Sequence, residues 1–266
     1  EIIQSYVNKF PESIIPVFNE QNLGIAASRN IALKRVIGEV VTFLDGDDIF
    51  YENKLLSEYK ILSSKNDLSA VYSNFHYISP SGKKIGIFSE INDQPVAGNI
   101  FKETFLRQYN VKSGNNYIYE MFYTSCARNT GFYDEKIKIW EDWDFRIRMS
   151  KKFQYGYCPD VNSAYRRLGN SLHNSEPELH YREQIKIYNK NKHLMSNLRA
   201  SEKKVIRNRI YARLKKLIII IGKLNLGTKR YLQLFMDCFQ FIWTFQSKKA
   251  ISFLYKELFL TPPNSA

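Results

Sequence analysis

The sequence predicts an α/β protein in which a domain of alternating helices and strands is followed by a helical region. Residues 39–44 form a short run of apolar, mostly β-branched or aromatic side chains after Gly38, which is typical of a strand covered on both faces. Segments in which apolar residues recur with helical spacing lie on both sides of that run. After about residue 176 the sequence shows no further clear strand pattern, which predicts the helical region.

The remaining elements follow from the same periodicities and from turn residues. Helical spacing predicts helices at residues 1–8, 25–37, 53–64, 99–108 and 143–152. Alternating or continuous apolar runs predict strands at 13–18, 70–78, 84–88, 121–127 and 153–157, and another that begins at 163. Pro80, Ser81 and Gly82 favour a turn, so 84–88 is expected to pair back on 70–78 as a hairpin. The α/β domain is expected to cover residues 1–175.

Residues 176–266 form the predicted helical region, with helical spacing at 179–198, 205–221, 230–245 and 248–258. From Ser201 to Ala266 there are 13 Lys and Arg residues against 3 acidic residues, a net charge of +10. One interpretation is a solvated helical face. Because apolar residues and Trp243 lie among the basic ones, the other is an interfacial region on an anionic membrane. Nucleic-acid binding is disfavoured, since no recognised nucleic-acid motif accompanies the charge.

The overall composition is that of a folded protein with anionic partners. The chain has 266 residues, of which 44% are hydrophobic, and a net charge of +13 at pH 7. This charge favours nucleotides, membrane lipid or nucleic acid as partners. The three cysteines form no CxxC pair, which disfavours a zinc site and indicates a reducing compartment. There is no signal-peptide pattern and no apolar run of roughly 18 residues, so we expect a cytoplasmic location, peripheral at the inner face of the membrane if the basic region binds lipid.

An acidic turn follows the strand at 39–44. Asp45, Asp47 and Asp48 are close in sequence, with Gly46 between the first two. In open α/β sheets ligands lie beyond the carboxyl ends of the strands, and crowded carboxylates repel one another unless a cation compensates them. Mg²⁺ or Mn²⁺ is the simplest such cation, because both bind oxygen ligands from carboxylates and substrate phosphates. The alternative is a solvated acidic turn, since Asp and Gly are ordinary turn residues.

Four motifs follow one another along the chain. They are NLGIAASRN at 22–30, GEVVTFLDGDD at 38–48, GFYDE at 131–135 with EDWDFRIR at 141–148, and Tyr165-Arg166 with Asn170-Ser171. In this order and spacing they resemble the family 2 glycosyltransferases, whose pattern is N-x-G-x-x-x-A-R-N, a strand into D-x-D-D, G-x-[FY]-D-E and E-D-x-D. The resemblance covers about residues 1–175. It implies a GT-A fold, a Rossmann-like domain that binds nucleotide-sugars.

The resemblance implies roles for the acidic residues. Asp45 and Asp47 match the D-x-D pair, so Asp47 is expected to hold Mn²⁺ or Mg²⁺ and Asp45 to lie near the ribose. Asp142 matches the general base that takes the proton of the acceptor hydroxyl, and Glu141 matches a group that positions the acceptor or tunes the base. Such enzymes invert the anomeric centre in a single displacement. The simpler alternative for Glu141 and Asp142 is that they only stabilise the first turn of a helix through its dipole.

The first motif and a late histidine complete the implied site. The resemblance assigns four residues of the first motif to the donor nucleotide: Asn22, Gly24, Arg29 and Asn30. Arg29 is expected to contact the nucleotide or to brace the acidic turn, and a surface salt bridge is its alternative. Metal sites in this fold often include a histidine late in the domain. His173 is the candidate ligand, with His180 as a second possibility.

The chain departs from the family pattern at its beginning. Family members open with a strand, a helix and a second strand that ends in D-D-G-[ST], whose acid recognises the nucleobase, and no such motif precedes Asn22. Residues 1–11 resemble the helix that follows that motif, so we expect a chain that starts part-way into the domain. Alternatively, IIPVFN at 14–19 resembles the opening strand, but it leaves no room for the second strand.

Together these patterns predict a metal-dependent inverting glycosyltransferase. The expected donor is a nucleotide-diphosphate sugar, with a UDP-sugar favoured. The expected acceptor is a glycan or a lipid-linked glycan, and the expected role is the synthesis of bacterial surface polysaccharide. One alternative is a non-catalytic nucleotide-binding relic or scaffold, which would fit the missing front. Another is a metal-dependent phosphatase, because a strand that ends in D-x-D also serves phosphoryl transfer, but this leaves residues 22–30 and 141–144 unexplained.

Overall fold

A mixed sheet of six strands organises the computed structural model, which describes residues 1–90, 93, 95–109, 119–168, 176–227, 231–245 and 254. The strands are β1 (Val40–Thr42), β2 (Ile49–Phe50), β3 (Leu68–Ile78), β4 (Lys84–Ile87), β5 (Glu120–Tyr123) and β6 (Gln154–Arg166). Their order is β1-β5-β3-β6-β2, and β4 pairs with the end of β3. β3 and β6 run parallel, whereas the other pairs run antiparallel.

Helices flank this sheet and make up the described chain after residue 176. Before that residue they are α1 (Ile2–Lys9), α2 (Ile25–Arg35), α3 (Lys54–Ser63), α4 (Phe101–Leu106), α5 (Thr124–Thr130) and α6 (Glu141–Lys152). After it they are α7 (Pro177–Asn191), a 3₁₀ helix (Lys192–Asn197), α8 (Ala200–Gly227) and α9 (Tyr231–Phe245). Strands and helices that alternate and then give way to helices confirm the predicted fold class.

Two apolar cores cover the two faces of the sheet. On one face, α2 and α6 pack through Leu33 and Phe145 against sheet residues that include Phe122. On the other face, Leu62 of α3 packs with Val71 of β3 and with Met121 and Cys158. With both faces covered, the side chains left open to a ligand are those at the strand ends and in the adjoining loops.

A third core joins the helical region to the α/β domain. One face of α8 buries five aliphatic side chains at intervals of three or four residues: Ile206, Ile210, Leu214, Ile218 and Ile221. This face packs in one cluster with Trp143 and Ile147 of α6 and with Phe105 of α4. The segments on either side of residue 175 therefore share a core, which supports α6 from behind. None of the described helices is long and apolar enough to span a bilayer.

The pairing of β1 with β5 brings the acidic turn close to residues much later in the chain. Thr42 at the end of β1 faces Met121 near the start of β5. The Thr42 hydroxyl also donates a 3.0 Å hydrogen bond to the carbonyl of Glu120. Because the two strands are antiparallel, the residues that follow Thr42 lie beside the residues that begin β5.

Several predicted elements need correction. Residues 13–18 form no strand: Pro16 has no N–H to donate, and Ile15 and Phe18 are exposed. The strand predicted at 121–127 ends at Tyr123, and α5 follows at once. The strands predicted at 153–157 and from 163 are one continuous strand, β6. The helix predicted at 248–258 lies outside the described residues except for Leu254.

The strand predicted at 39–44 is shorter and less buried than expected. Only Val40–Thr42 form β1, and all three residues are half-buried. β1 pairs with β5 alone among the described strands, so it is an edge strand in this part of the chain. Val41 and Val40 pack against the cores on opposite faces of the sheet, as expected for a strand covered on both faces. The expected full burial is not reached, because β1 has one neighbouring strand in this part of the chain, and an apolar run does not distinguish an edge strand from a central one.

Candidate active site

A turn at the start of α2 places the first motif. The Asn22 side chain accepts a 2.9 Å hydrogen bond from the Gly24 N–H through Oδ1. Gly24 has a φ of 80°, which favours glycine, and its carbonyl accepts the Ser28 N–H at 3.1 Å. Asn22 and Gly24 thus fix where α2 begins, and both are exposed. Arg29 follows one turn later on the helix.

Asn30 holds α2 to the turn that precedes α6. Asn30 is only 3% exposed. Its amide Nδ2 donates to the carbonyl of Tyr133 at 3.0 Å and to Oε1 of Glu135 at 2.8 Å, while its Oδ1 accepts the Tyr133 N–H at 2.9 Å. The polar atoms of Asn30 are thus buried and engaged within the protein, which gives Asn30 a structural role, whereas its expected contact with the donor stays a prediction.

Replacement of Asn30 by alanine is expected to lower the free energy of unfolding by about 2–3 kcal/mol, because buried polar groups of the 133–135 turn lose their partners. Urea unfolding followed by circular dichroism measures this. Asn19→Ala is the matched control, since Asn19 is exposed and makes one side-chain bond, 2.8 Å long, to Ser28 Oγ. A loss no larger than that of the control would contradict the structural role of Asn30.

Arg29 joins the acidic turn to the start of α6. Its Nη2 donates to Oδ1 of Asp45 at 2.8 Å, and its Nη1 donates to Oε1 of Glu141 at 2.9 Å. The guanidinium also lies against the rings of Phe43 and Tyr133, at 5.4 and 5.7 Å from their centroids. Of the two expectations for Arg29, the structure places it as a brace of the acidic turn, with a side chain only 17% exposed.

Glu141 and Asp142 form the first turn of α6, two residues earlier than the predicted helix start. The residue before them, Trp140, has a φ of 68°, a left-handed value that is uncommon for a bulky side chain. Trp140 is held there by a 3.1 Å bond from its Nε1–H to Nδ1 of His180 and by the Arg107 guanidinium, 3.9 Å from its ring centroid. Backbone strain of this kind persists only where the surroundings hold it, often at functional sites.

The pKa values of Glu141 and Asp142 are shifted in opposite directions. Burial and the neighbouring charge of Asp142 raise the pKa of Glu141 to about 7, against the lowering effect of Arg29. Burial would also raise the pKa of Asp142, but the guanidinium groups of Arg146, Arg107 and Arg29 outweigh it, and the pKa of Asp142 lies below its usual value. Asp142 is thus ionised near neutral pH, as a proton acceptor must be.

Glu120 and Arg146 also belong to the site, and the sequence analysis did not identify them. Arg146 Nε lies 2.9 and 3.1 Å from the two carboxylate oxygens of Glu120, and Arg146 Nη1 lies 3.3 Å from Oδ2 of Asp142. The spacing of Asp142 and Arg146, four residues apart on a helix, is a signal that the sequence contains. Nothing local points to Glu120, because it is 26 residues away from Arg146.

A small cavity lies where these elements meet. Its volume is about 20 Å³, and it is lined by Arg29, Phe43, Tyr119, Glu120, Tyr133, Asp142 and Arg146. This is room for about one water molecule. Arg29, which lines the cavity, is bonded to Asp45 and so connects it to the acidic turn.

The three carboxylates of the acidic turn have different surroundings. Asp48 is used to fix the turn, since it accepts the Tyr119 hydroxyl and, at 2.7 Å, the Arg166 N–H. Asp45 is paired with Arg29 and its side chain is 43% exposed. Asp47 is exposed, and its carbonyl accepts the Nε–H of Arg166 at 2.8 Å. The turn is thus held from behind while Asp45 and Asp47 face outward.

The chemistry of Asp45 and Asp47 fits a hard divalent cation, which commonly binds one or two carboxylates together with substrate phosphates. Within the described part of the chain, no group of three or more His, Cys, Asp or Glu residues could by itself hold a metal ion. His173 lies outside the described residues. His180 is engaged with Trp140 and lies at α7. Within the described residues, the exposed carboxylate of Asp47 is therefore the candidate ligand, with Asp45 two residues before it.

Comparison with known proteins shows the family of the chain. A family model for glycosyl transferase family 2 matches residues 1–170. An uncharacterised glycosyltransferase, MJ1057 of Methanocaldococcus jannaschii, is 28% identical over 175 residues, which are 62% of this chain and 54% of that protein. The Escherichia coli protein WfgD, a UDP-Glc:alpha-D-GlcNAc-diphosphoundecaprenol beta-1,3-glucosyltransferase, is 39% identical over 74 residues, 27% of this chain and 29% of WfgD. The chain thus matches about half the length of the first relative and less of the second.

Solved structures show the same fold. TarS of S. aureus superposes with a TM-score of 0.62 at 15% identity, covering 95% of this chain and 70% of the TarS chain. The mannosyltransferase PcManGT of Pyrobaculum calidifontis, solved with GDP-Man and Mn²⁺, gives a TM-score of 0.51 at 14% identity, with 97% of this chain and 74% of that chain covered. The α/β domain accordingly has the GT-A fold. On the family match and its motifs, the chain belongs to glycosyl transferase family 2.

Proposed function

We propose that the chain is a metal-dependent, inverting glycosyltransferase whose catalytic site lies between the acidic turn and the start of α6. The observation that supports this most directly is the Arg29 bridge, with bonds of 2.8 Å to Asp45 and 2.9 Å to Glu141. It holds a candidate donor-binding carboxylate and a candidate acceptor-binding carboxylate on either side of one guanidinium. In this proposal residues 1–175 are the catalytic domain and residues 176–266 a helical accessory region.

Asp47 would hold the metal together with the diphosphate of the donor, and Asp45 would lie near the ribose of the donor. Bound there, Mn²⁺ or Mg²⁺ would supply Lewis-acid stabilisation of the leaving diphosphate. Asp48 and Arg166 would keep the turn in place through the 2.7 Å bond between the Asp48 carboxylate and the Arg166 N–H. Fixing the turn beforehand reduces the ordering that the donor must impose when it binds.

Asp142 would act as the general base. Its carboxylate takes the proton of the acceptor hydroxyl while the acceptor oxygen bonds to the anomeric carbon, and the bond from that carbon to the diphosphate oxygen breaks with its electron pair. Because attack and departure occur on opposite faces, the anomeric configuration inverts. The raised pKa of Glu141, caused first by burial, suits a protonated side chain that can donate a hydrogen bond to the acceptor.

The donor and the acceptor are inferred from similar proteins. The printed name of WfgD gives UDP-Glc as donor and a diphosphoundecaprenol-linked sugar as acceptor, and PcManGT was solved with GDP-Man and Mn²⁺. For this chain we favour a UDP-sugar and a glycan or lipid-linked glycan, in the synthesis of bacterial surface polysaccharide on the cytoplasmic side of the membrane.

Calorimetric titration of UDP, GDP and CMP, each with and without Mn²⁺, tests the proposal. We expect one nucleotide to bind, UDP first, and its affinity to rise on addition of Mn²⁺. The matching nucleotide-sugar should then release its nucleotide when glycan acceptors are supplied. Binding without any transfer would support the alternative of a non-catalytic nucleotide-binding protein. Binding that is indifferent to Mn²⁺ would contradict the metal-dependent mechanism.

For the accessory region we propose attachment to an anionic membrane surface. Four large apolar residues of α9 are more than half exposed: Phe235, Met236, Phe239 and Trp243. Their spacing places them along one stripe of the helix. Arg182 and Lys186 of α7 line the same groove as Phe235 and Phe239. The two acidic residues of this groove, Glu183 and Asp237, are buried, so the exposed charged groups beside the apolar rings are cationic. That combination suits an interface with anionic lipid, where rings enter the headgroup region and cations meet phosphates.

The double variant Phe239→Ser, Trp243→Ser is expected to lower partitioning onto vesicles of phosphatidylglycerol and phosphatidylcholine by about a hundredfold or more, since each fully buried ring contributes roughly 1.5–3 kcal/mol. Co-sedimentation at low salt measures this. Val205→Ser, at another exposed apolar position on α8, is the control and should bind like the unmodified protein. Equal binding by the double variant, or binding equally strong to neutral vesicles, would contradict the proposed surface.

A further inference from the structure

We infer that Arg146, held in place by Glu120, is a positioning residue that fixes the orientation of Asp142 for proton transfer. The inference rests on the proposed function, because it assumes that Asp142 is the base. The inference concerns Glu120 and Arg146, to which none of the four sequence motifs gives a role in the site. The observation behind it is one guanidinium shared between a buried carboxylate and the candidate base.

The geometry gives Arg146 little freedom. Its Nε lies 2.9 and 3.1 Å from the two carboxylate oxygens of Glu120. The ring of Tyr109 lies beside the guanidinium, with its centroid 5.8 Å from Cζ of Arg146. The side chains of Arg146 and Glu120 are 4% and 8% exposed. A guanidinium is planar. With Nε held by Glu120 and the Tyr109 ring beside the plane, the guanidinium has little room to turn, and its Nη1 lies 3.3 Å from Oδ2 of Asp142.

Stability alone is a poor explanation for this arrangement. A buried ion pair gains little over apolar residues of similar size, because both charges must be removed from water. The chain has other buried ion pairs, such as Lys54 with Glu58 and Arg148 with Asp144, and these partners do not line the cavity. Arg146 and Glu120 do line it, together with Asp142. The charged pair therefore faces the place where the proposed chemistry occurs.

Glu120 and Arg146 should also act on Asp142 in opposite directions. Burial is the largest influence on Asp142 and raises its pKa, whereas Arg146 is the strongest of the charges that lower it. The charged and titratable groups around Asp142 come from several elements: Arg29 on α2, Arg107 after α4, Glu120 on β5, Glu141 and Arg146 on α6, and Tyr133. Removing Arg146 takes away a positive neighbour, and removing Glu120 takes away a negative one.

The test uses the full chain with ¹³C-labelled aspartate carboxyl groups. The Asp142 signal is assigned by its absence in Asp142→Asn, and its titration midpoint is followed by NMR. Because Arg146→Gln alone leaves Glu120 buried without its partner, the main variant is the double variant Glu120→Gln, Arg146→Gln. We expect its Asp142 midpoint at higher pH than in the unmodified protein, and the midpoint of Glu120→Gln alone at lower pH.

Activity supplies the second readout. With a nucleotide-sugar of the nucleotide identified by calorimetry as donor, the double variant should lose kcat by about tenfold to a hundredfold, as expected for a misplaced catalytic group, while the donor KM stays unchanged. Lys152→Gln removes the same charge from the far end of α6, about 15 Å from Asp142, and should change neither readout.

The inference is overturned if the double variant and Glu120→Gln both titrate at the midpoint of the unmodified protein, or if Lys152→Gln shifts the midpoint equally. If the opposite shifts appear but the unmodified protein transfers no sugar, the proposed function fails, and the inference fails with it as a catalytic statement. If transfer occurs and depends on Asp142 but the shifts are absent, only the role of Arg146 fails.

Discussion

Replacement of Asp142 by asparagine is expected to lower the rate of sugar transfer by about 10²- to 10⁴-fold, the usual contribution of a general base. Asparagine keeps the size of the side chain but removes its negative charge and its ability to take a proton. Nucleotide binding should stay nearly intact, because the bonds of Arg29 to Asp45 and Glu141 do not involve Asp142. Initial rates of nucleotide release and calorimetric affinities, measured on the same preparation, separate the two effects.

Asp160→Asn is the control for this prediction, since it makes the same chemical change at an exposed position of β6. It should leave the transfer rate unchanged. Undiminished turnover in Asp142→Asn would remove the base assignment. A loss of nucleotide affinity equal to the loss of rate would instead place Asp142 in donor binding.

The second large effect is expected for Asp47→Ala. This variant should weaken Mn²⁺-dependent nucleotide binding at least about tenfold and leave metal-free binding unchanged, because a divalent cation held by few protein ligands depends on each carboxylate. The fold should tolerate the change, since the Asp47 side chain is exposed and the turn is held through the side chain of Asp48 and the carbonyl of Asp47. Titration of the nucleotide at several Mn²⁺ concentrations measures the effect.

Glu52→Ala removes an exposed acid five residues further along, and it controls for the general loss of negative charge. If Asp47→Ala and Glu52→Ala weaken Mn²⁺-dependent nucleotide binding equally, the loss comes from the change in net charge, and the turn is not a metal site. If Asp47→Ala binds nucleotide and Mn²⁺ as before, the solvated acidic turn is the better interpretation of this motif.

How far the sequence could predict the site depends on whether the signal was local. The start of α6 carries Glu141 and Asp142 in a motif that identifies them directly, and the structure places both in its first turn. Asn30 is in a motif as well, but its buried bonds to Tyr133 and Glu135 show a structural position that the motif does not reveal. A motif marks which residues matter and leaves open whether they touch the ligand or the protein.

Other features depend on contacts between distant segments. Glu120 contacts Arg146 only because β5 lies beside α6. No periodicity in either segment predicts this placement. The end of β5 at Tyr123 is set by its short pairing with β1 and by bonds from Thr124 to the carbonyls of Gly38 and Glu39, at 2.8 and 2.9 Å. The apolar run at 121–127 could not show where pairing stops. Tertiary contacts thus override the local pattern.

The most direct test of the account is the configuration of the sugar at the moment of transfer. With an α-linked sugar of the nucleotide found by calorimetry as donor, proton NMR during the first turnovers can show which anomer forms when water or a glycan is the acceptor. A single displacement with Asp142 as base predicts the β anomer, formed only with Mn²⁺ or Mg²⁺ present and lost in Asp142→Asn. Release of the α anomer, or formation of the β anomer at full rate in Asp142→Asn, would contradict a single displacement with Asp142 as base.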